Sequence, residues 1–437
     1  MDGVARPAEA GLYPAATGLE RAAFIALLLF AASLQVSIAA AGILLSITAL
    51  LWLALIVSRG EHVDVPPMFW LLAAYAGYTL VSTFFSIDPR VSIRDDKQLL
   101  LFAVVPIAYR LARGQRALTV IDVVITVGAL SAAIGIVQFG ILKFDDLGKR
   151  PQGALGLYMT YSGQLMLVAC VAAARILFRR QDRVWPMLVL PALLVALATT
   201  LSRNAWVGAC VGIGLLFLMR DFRLFGIVPV LAALFFAFAP SQISDRLWSA
   251  FQVDNKYRQT ETAEANVHSN RDRIAMIRSG IRIIKDRPLT GVGPDMVIQV
   301  YPVYRDRDAV NQLNPHLHNV PLQIAAERGL PALLIWLGFI VTLARDFFRQ
   351  RSRGNPDSAG SDNQGLIPFL PNAGLACVAA MLAAGMFEHN FGDSEFLMLF
   401  LLLVTLPYAA VRRIPDDQAL RQAQDKALRQ AQDQARA

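Results

Sequence analysis

Apolar residues in this chain come in long uninterrupted blocks separated by short polar or charged connections, without the strict alternation that marks half-buried strands. A hydrocarbon core about 30 Å thick takes roughly 20 helical residues to cross. About twelve blocks approach that length: 21–36, 39–58, 67–85, 98–113, 117–141, 154–178, 184–201, 204–219, 222–240, 329–347, 366–387 and 395–411. The pattern predicts an all-α polytopic integral membrane protein with about twelve transmembrane helices. A second block follows the first at once, so the first reads as a retained signal anchor rather than a cleaved signal peptide.

With 55% hydrophobic and 17% charged residues, the 437-residue chain falls outside the balance of soluble domains. Its net charge of +8 would raise the question of nucleic acid in a soluble protein. Here the cations sort by connection instead. Arg59, Arg110, Arg113, Arg116, Arg175, Arg179, Arg180, Arg183, Arg220, Arg223, Arg345, Arg349, Arg351, Arg353, Arg412 and Arg413 fall at every second one. Those connections and both termini are expected to be cytoplasmic, and no nucleic-acid partner is expected. The alternate connections, such as "FSIDPRVSIRDDK" and "KFDDLGKR", balance cations with acids and are expected outside. Cys170, Cys210 and Cys377 lie within predicted spans with no CxxC pair, and read as small packing residues rather than metal ligands.

The resulting organisation is a cytoplasmic segment 1–20, nine spans over 21–240, a large outer loop with site helices over 241–328, three spans over 329–411, and a tail 412–437. The tail repeats "LRQAQDKA" and "LRQAQDQA" and reads as solvated. Within the outer loop, Ile274, Ile277, Ile281 and Ile284 make an apolar stripe beside Arg271, Arg278, Arg282 and Lys285. This predicts a basic amphipathic helix suited to a membrane interface. "DRPLTGVGPD" ends it, because Pro288 and Pro294 cannot continue a helix and Gly291 and Gly293 permit a tight turn. The Gly-x-Gly there follows no strand and does not predict a nucleotide site.

Four outward clusters carry candidate chemistry, since charged groups near the edge of a bundle are costly to place. Arg203 in "TTLSRNAW" sits in a short turn, either as an ordinary interfacial arginine or as a cation ready for a phosphate. By helical phase Arg273 points away from the basic stripe, close to the edge of the isoleucine face, either as a solvated arginine or turned toward the membrane-side interior, where its planar fork suits phosphate oxygens. "NPHLHNVPLQIAAERGLP" reads as a helix capped by Asn314, with Pro315 in its first turn. Helical phase then puts His318 and Gly329 on one face and His316 on the opposite side, so the two histidines are not expected to share a partner. The run is longer than a span needs, so its first turns stand above the hydrocarbon or break off at Pro331. His318 remains open to a bland reading as an interfacial histidine. "MFEHNFGDSE" supplies Glu388, His389, Asp393 and Glu395, one carboxylate of which could orient a histidine or a sugar, with an N-cap role for Asp393 as the alternative.

His318-Asn319, nine further residues, then Gly329 resembles the signature of the lipopolysaccharide O-antigen ligases. "SRNAW" and "RDRIAMIRSGIRIIKDRPLTGVGP" are similar to the two arginine motifs of the broader O-antigen ligase and polymerase family, with Arg203 and Arg273 at the motif arginines. The resemblance implies a periplasmic site in a bacterial inner membrane, undecaprenyl diphosphate-linked O-antigen as donor, lipid A-core as acceptor, and inverting transfer without metal or cofactor. Arg203 and Arg273, with Arg271 in support, would bind the diphosphate, and His318 would be the general base. Asn319, Gly329, Glu388 and Asp393 would support them. Ala332 replaces the Gly, Thr or Tyr of the ligase pattern and Ile277 an aromatic, so a polymerase using the same donor stays a second reading; a single large outer loop favours the ligase. A lipid-linked glycan transporter would instead place ionisable residues near the midplane.

Overall fold

The computed structural model describes residues 18–145, 148–179, 181–226, 261–352 and 369–412, and every regular element among them is helical. In chain order they are α1 (Gly18–Ser33), α2 (Ile38–Arg59), α3 (Met68–Phe84), α4 (Pro89–Asp95), α5 (Val104–Leu111), α6 (Arg116–Gly140) and α7 (Tyr158–Phe178). There follow α8 (Val184–Thr199), α9 (Arg203–Arg220), α10 (Glu261–Asp286), α11 (Val297–Tyr304), α12 (Val320–Ser352), α13 (Phe369–Gly385) and α14 (Ser394–Ala410). α2, α6, α7 and α12 are long and apolar enough to cross a membrane, and α3, α8, α13 and α14 are shorter apolar helices. The described residues are thus all helical, with spans apolar enough for a membrane protein. The apolar block 98–113 is not one regular helix: Asp96–Ala103 is 3-10 and α5 restarts at Val104. That restart leaves Pro106 in a first turn, where no N–H is needed. Of the block 222–240 only the 3-10 turn Phe222–Gly226 is described. Residues 241–260 and the repeat-bearing tail lie outside the described residues.

The bundle is centred on α7, α13 and α14, whose side chains are buried nearly throughout. Large apolar side chains on outer helices, among them Leu50, Val57, Trp70, Leu188 and Val341, are exposed, as expected where lipid replaces water. α9 crosses α13 closely through Gly208 and Gly212. A Cβ at either would lie 2.8 Å from the Ala380 carbonyl oxygen or 2.9 Å from that of Ala376. This spacing of small residues lets backbones touch where no hydrophobic drive brings helices together. The crossing fixes the head of α9, Arg203, beside the connection that leaves α13.

At the other end of the bundle, Glu20 is buried and pairs with Arg59 at 2.8 Å, Arg113 at 2.9 Å and Arg116 at 2.8 Å. Arg110 reaches Glu61 at 2.6 Å and Arg412 reaches Asp64 at 3.3 Å. Arginines from alternate connections thus gather on one side, away from Arg203.

α10 packs onto α11 and the start of α12 through Met276 and Ile283, against Val297, Tyr301 and Leu317. Its opposite face leaves Ile274, Ile277 and Ile281 exposed. α12 is two helices joined at Gly329, where φ is 83° and ψ 170°. The turn after α10 fills that break. Leu330 N donates to Pro288 O at 2.8 Å, Val292 N to Ala326 O at 3.0 Å and Gly293 N to Glu327 O at 2.9 Å. Pro331 has no N–H to offer the Glu327 carbonyl; Gly293 N and the Ser82 hydroxyl, at 3.0 Å, donate to it instead. The continuous helical face expected from His318 to Gly329 therefore does not exist.

Candidate functional site

Residues 314–319 are irregular, with bends at 315, 316 and 318, and the helix begins at Val320. Its cap is Asn319, whose side-chain oxygen accepts from Leu322 N at 2.9 Å and whose amide donates to Met386 O at 3.0 Å. Asn314, expected to cap the helix, instead lies against Asp272. His318 has φ of 48°, a left-handed conformation in which histidine is enriched among non-glycine residues. That reversal undoes the helical phase argument and turns both imidazoles to one carboxylate. His318 Nδ1 lies 3.0 Å from each oxygen of Glu388, and His316 Nε2 lies 3.2 Å from Oε1. The two rings are 4.3 Å apart. The expectation that the histidines would not share a partner is thus corrected.

The carboxylate assigns the protons. An ionised Glu388 only accepts, so His318 Nδ1–H and His316 Nε2–H donate to it. When neutral, His318 then carries its lone pair on Nε2, the arrangement of a base oriented by an acid. Burial opposes the charge on Glu388, but the hydrogen bonds from His316 and His318 hold its carboxyl well below the ordinary range. His389, next along the chain, is pushed down to about 3 by burial and by the neighbouring His316 and Arg328, and is neutral at working pH. The same trio has a donor set that metals use: one ligand atom from each of His316, His318 and Glu388 lies within 4.8 Å of the others.

A depressed carboxyl stabilises the fold above its unfolded value, about 4.3, and loses that contribution as pH falls through the lower folded value. The melting gap between wild type and Glu388→Gln in detergent should therefore persist from pH 8 to pH 5 and close only below about pH 4. A gap that vanished between pH 8 and 6 would mean Glu388 is not the ionised partner.

His318 and Glu388 line a cavity of about 340 Å³ with Arg150, Arg203 and Arg273. Arg203 enters from the first turn of α9 and Arg273 from the protein side of α10. Burial and the neighbouring Arg273 and Arg150 cations push Arg203 down to about 10, and burial lowers Arg273. Both remain cations at neutral pH. Asp272 also borders the space, but its oxygens accept from Val310 N and Asn311 N, both at 3.1 Å, and from the Asn311 amide at 2.7 Å. It braces the segment leading to the histidines. The cavity thus puts concentrated positive charge opposite a histidine base, a pairing suited to a ligand with an anionic leaving group.

Of the residues singled out in the sequence, Arg203, Arg273, His318 and Glu388 meet at this cavity. Arg271 is exposed and does not line it, because two positions along α10 separate its direction from that of Arg273. Gly329 lies at the helix break. Asp393 caps α14, accepting from Phe396 N at 2.9 Å, and also accepts from the Thr160 hydroxyl. Two residues went unrecognised. Arg150 belongs to a connection whose two acids offset most of its three cations, yet it lies over the Tyr158 ring at 4.3 Å and faces the cavity. His316 was set aside by helical phase; Asn319, an N-cap signal as good as Asn314, was the cue that could have placed both histidines outside a helix.

Residues 188–337 match the family described as O-antigen ligase, a stretch that includes Arg203, Arg273, His318 and Gly329 but neither Arg150 nor Glu388. No curated protein matches the chain.

Proposed function

We propose, from the match of residues 188–337 to the family described as O-antigen ligase, that the chain transfers O-antigen glycan from undecaprenyl diphosphate to a sugar hydroxyl of lipid A-core. The observation that carries this reading is one cavity holding Arg150, Arg203 and Arg273 together with His318. In the proposed step the acceptor oxygen attacks the anomeric carbon, its proton passes to His318 Nε2, and the C–O bond to the diphosphate breaks. The leaving group gains negative charge in the transition state, and fixed guanidiniums facing it lower the barrier without rearranging. Glu388 is occupied by the two imidazoles, so it orients the base and stabilises the imidazolium that forms. A single displacement inverts the anomeric centre. The positive charge that a metal would supply comes from the arginines, and the histidine nitrogens nearest Glu388 are engaged by it.

In this reading the site lies on the periplasmic side of the inner membrane, within about twelve spans, with the arginine-rich end of the bundle and both termini cytoplasmic. Segments 21–240 and 329–411 form the membrane part around the loop 241–328. Membrane lipids surround the exposed apolar helix faces, and no cofactor or nucleic acid takes part.

The test is purified protein given a lipid diphosphate-linked glycan and lipid A-core, with and without EDTA. Product should form only when lipid A-core is present and be insensitive to the chelator. Lengthened lipid-linked chains would make the protein a polymerase, loss of product in EDTA would implicate the His-His-Glu trio in metal binding, and no product from either acceptor would favour transport. In the same assay, lysine at Arg203 or Arg273 should lower kcat/KM roughly tenfold to a hundredfold, each lost charged hydrogen bond being worth about 1.5–3 kcal/mol. Full activity of the double lysine variant would remove bidentate diphosphate binding from the mechanism.

A further inference from the structure

Behind Glu388 lies a second cavity, of about 220 Å³, that shares Met159, Asn204 and Glu388 with the first but has a different chemical character. Among the described residues no arginine or lysine lines it. Its upper wall carries His316, Asn390 and the paired Thr160 and Asp393; its floor carries Met166 and Phe396. Small residues make the space: Ala205 and Ala384 face it, and at Gly163 a Cβ would come within 2.8 Å of the Phe396 ring. Two lining residues carry a buried side-chain atom without a hydrogen-bond partner among the described residues, His389 at Nδ1 and Asn390 at Oδ1, and the second bears on a ligand. Asn390 is 7% exposed, its amide nitrogen donates to Met381 O at 3.2 Å, and its side-chain oxygen is buried without a hydrogen-bond partner. A buried carbonyl without a donor is costly, so a ligand bearing hydroxyls would satisfy it.

The two cavities sort ligands by charge. The arginine-lined space favours an anion; the second, with the carboxyls of Glu388 and Asp393 and no arginine or lysine among the described residues, disfavours one and offers acceptors to neutral donors. At roughly 30 Å³ per water its volume is that of about seven waters, the scale of one sugar ring. An apolar floor beneath polar walls also suits a pyranose, whose ring carries C–H faces and a hydroxyl rim. The two histidines divide accordingly, His318 bordering the anion cavity and His316 the neutral one.

We infer that the second cavity is the acceptor subsite, holding one neutral sugar ring whose attacking hydroxyl reaches past Glu388, where the two cavities meet, to His318 Nε2 in the first. This rests on the transfer reading above. Asn390 and Asn204 would then set which sugar is accepted, and His316 would position the ring.

The experiment fills the cavity from its small-residue wall. Ala205 is fully buried and borders the second cavity only. Ala205→Val and Ala205→Leu add carbon where the ring would sit. Purified variants are compared with wild type for KM toward rough lipopolysaccharide lacking O-antigen and for binding of undecaprenyl diphosphate. The acceptor KM should rise about tenfold in the valine variant and further in the leucine variant, with donor binding unchanged, as expected of graded overpacking. The smaller variant keeps the test readable if the larger one fails to fold. Unmoved acceptor KM, or equal loss of donor binding, would overturn the subsite while leaving the transfer reading intact; wild type making no product on any acceptor would overturn the transfer reading itself.

Discussion

Alanine or asparagine at His318 is expected to reduce glycan transfer by roughly 10²–10⁴-fold, the range general-base catalysis contributes, with the protein still folded in detergent. The asparagine variant is the sharper probe. His318 has φ of 48°, and asparagine tolerates that conformation better than alanine does. Its amide can also donate to Glu388 as the imidazole does, so turn and hydrogen bond survive while the titratable nitrogen is lost. The comparison with His316 decides the assignment. Both imidazoles donate to Glu388, but His318 borders the arginine cavity and His316 does not. His316→Asn should therefore retain more activity than His318→Asn, with its loss expressed in the acceptor KM. The reverse order would make His316 the base and move the reacting hydroxyl into the second cavity.

The helical character and the long apolar spans were legible, because hydrophobic blocks are local signals that tertiary context cannot easily rewrite. α2, α6, α7 and α12 overlap four of the predicted spans. The side of α10 that carries Arg273 was also legible: its helix is long and regular, so phase could be counted and exposed Ile274 and Ile277 fall where the stripe predicted. The same counting failed around the histidines. "NPHLHNVP" contains two competing start signals, Asn314 before Pro315 and Asn319 before Val320-Pro321, and nothing local chooses between them. What chooses is Met386, whose carbonyl accepts from Asn319, and Glu388, which collects both imidazoles from about 70 residues away. Contacts of that separation leave no trace in periodicity. Arg150 was hidden for a different reason: a connection of mixed charge says nothing about which cation turns inward.

Gly329→Ala is expected to disable the protein through its fold, for a reason the sequence motif alone conceals. Glycine at that spacing suggests a small face where another helix approaches, and alanine would nearly serve for that. The backbone says otherwise. With φ of 83° and ψ of 170°, Gly329 occupies a region reached essentially by glycine alone, where another residue costs about 1–3 kcal/mol. A Cβ there would stand 1.7 Å from the Leu289 carbonyl oxygen, which is backbone and cannot swing aside. The turn would have to withdraw, breaking the hydrogen bonds from Leu330, Val292 and Gly293 that close the helix gap. Each is worth about 0.5–1.5 kcal/mol, and the carbonyls left buried cost more. Because that turn follows α10 directly, Arg273 loses its bracing at the same time. A lowered melting temperature in detergent together with lost transfer is the expected result. Gly338→Ala is the matched control, since its Cβ would meet only Leu71 Cδ2 at 3.7 Å and helix propensity favours alanine by up to about 1 kcal/mol. If both alanine variants melt and act like wild type, the inserted turn does not hold the site, and the glycine is there only for close packing.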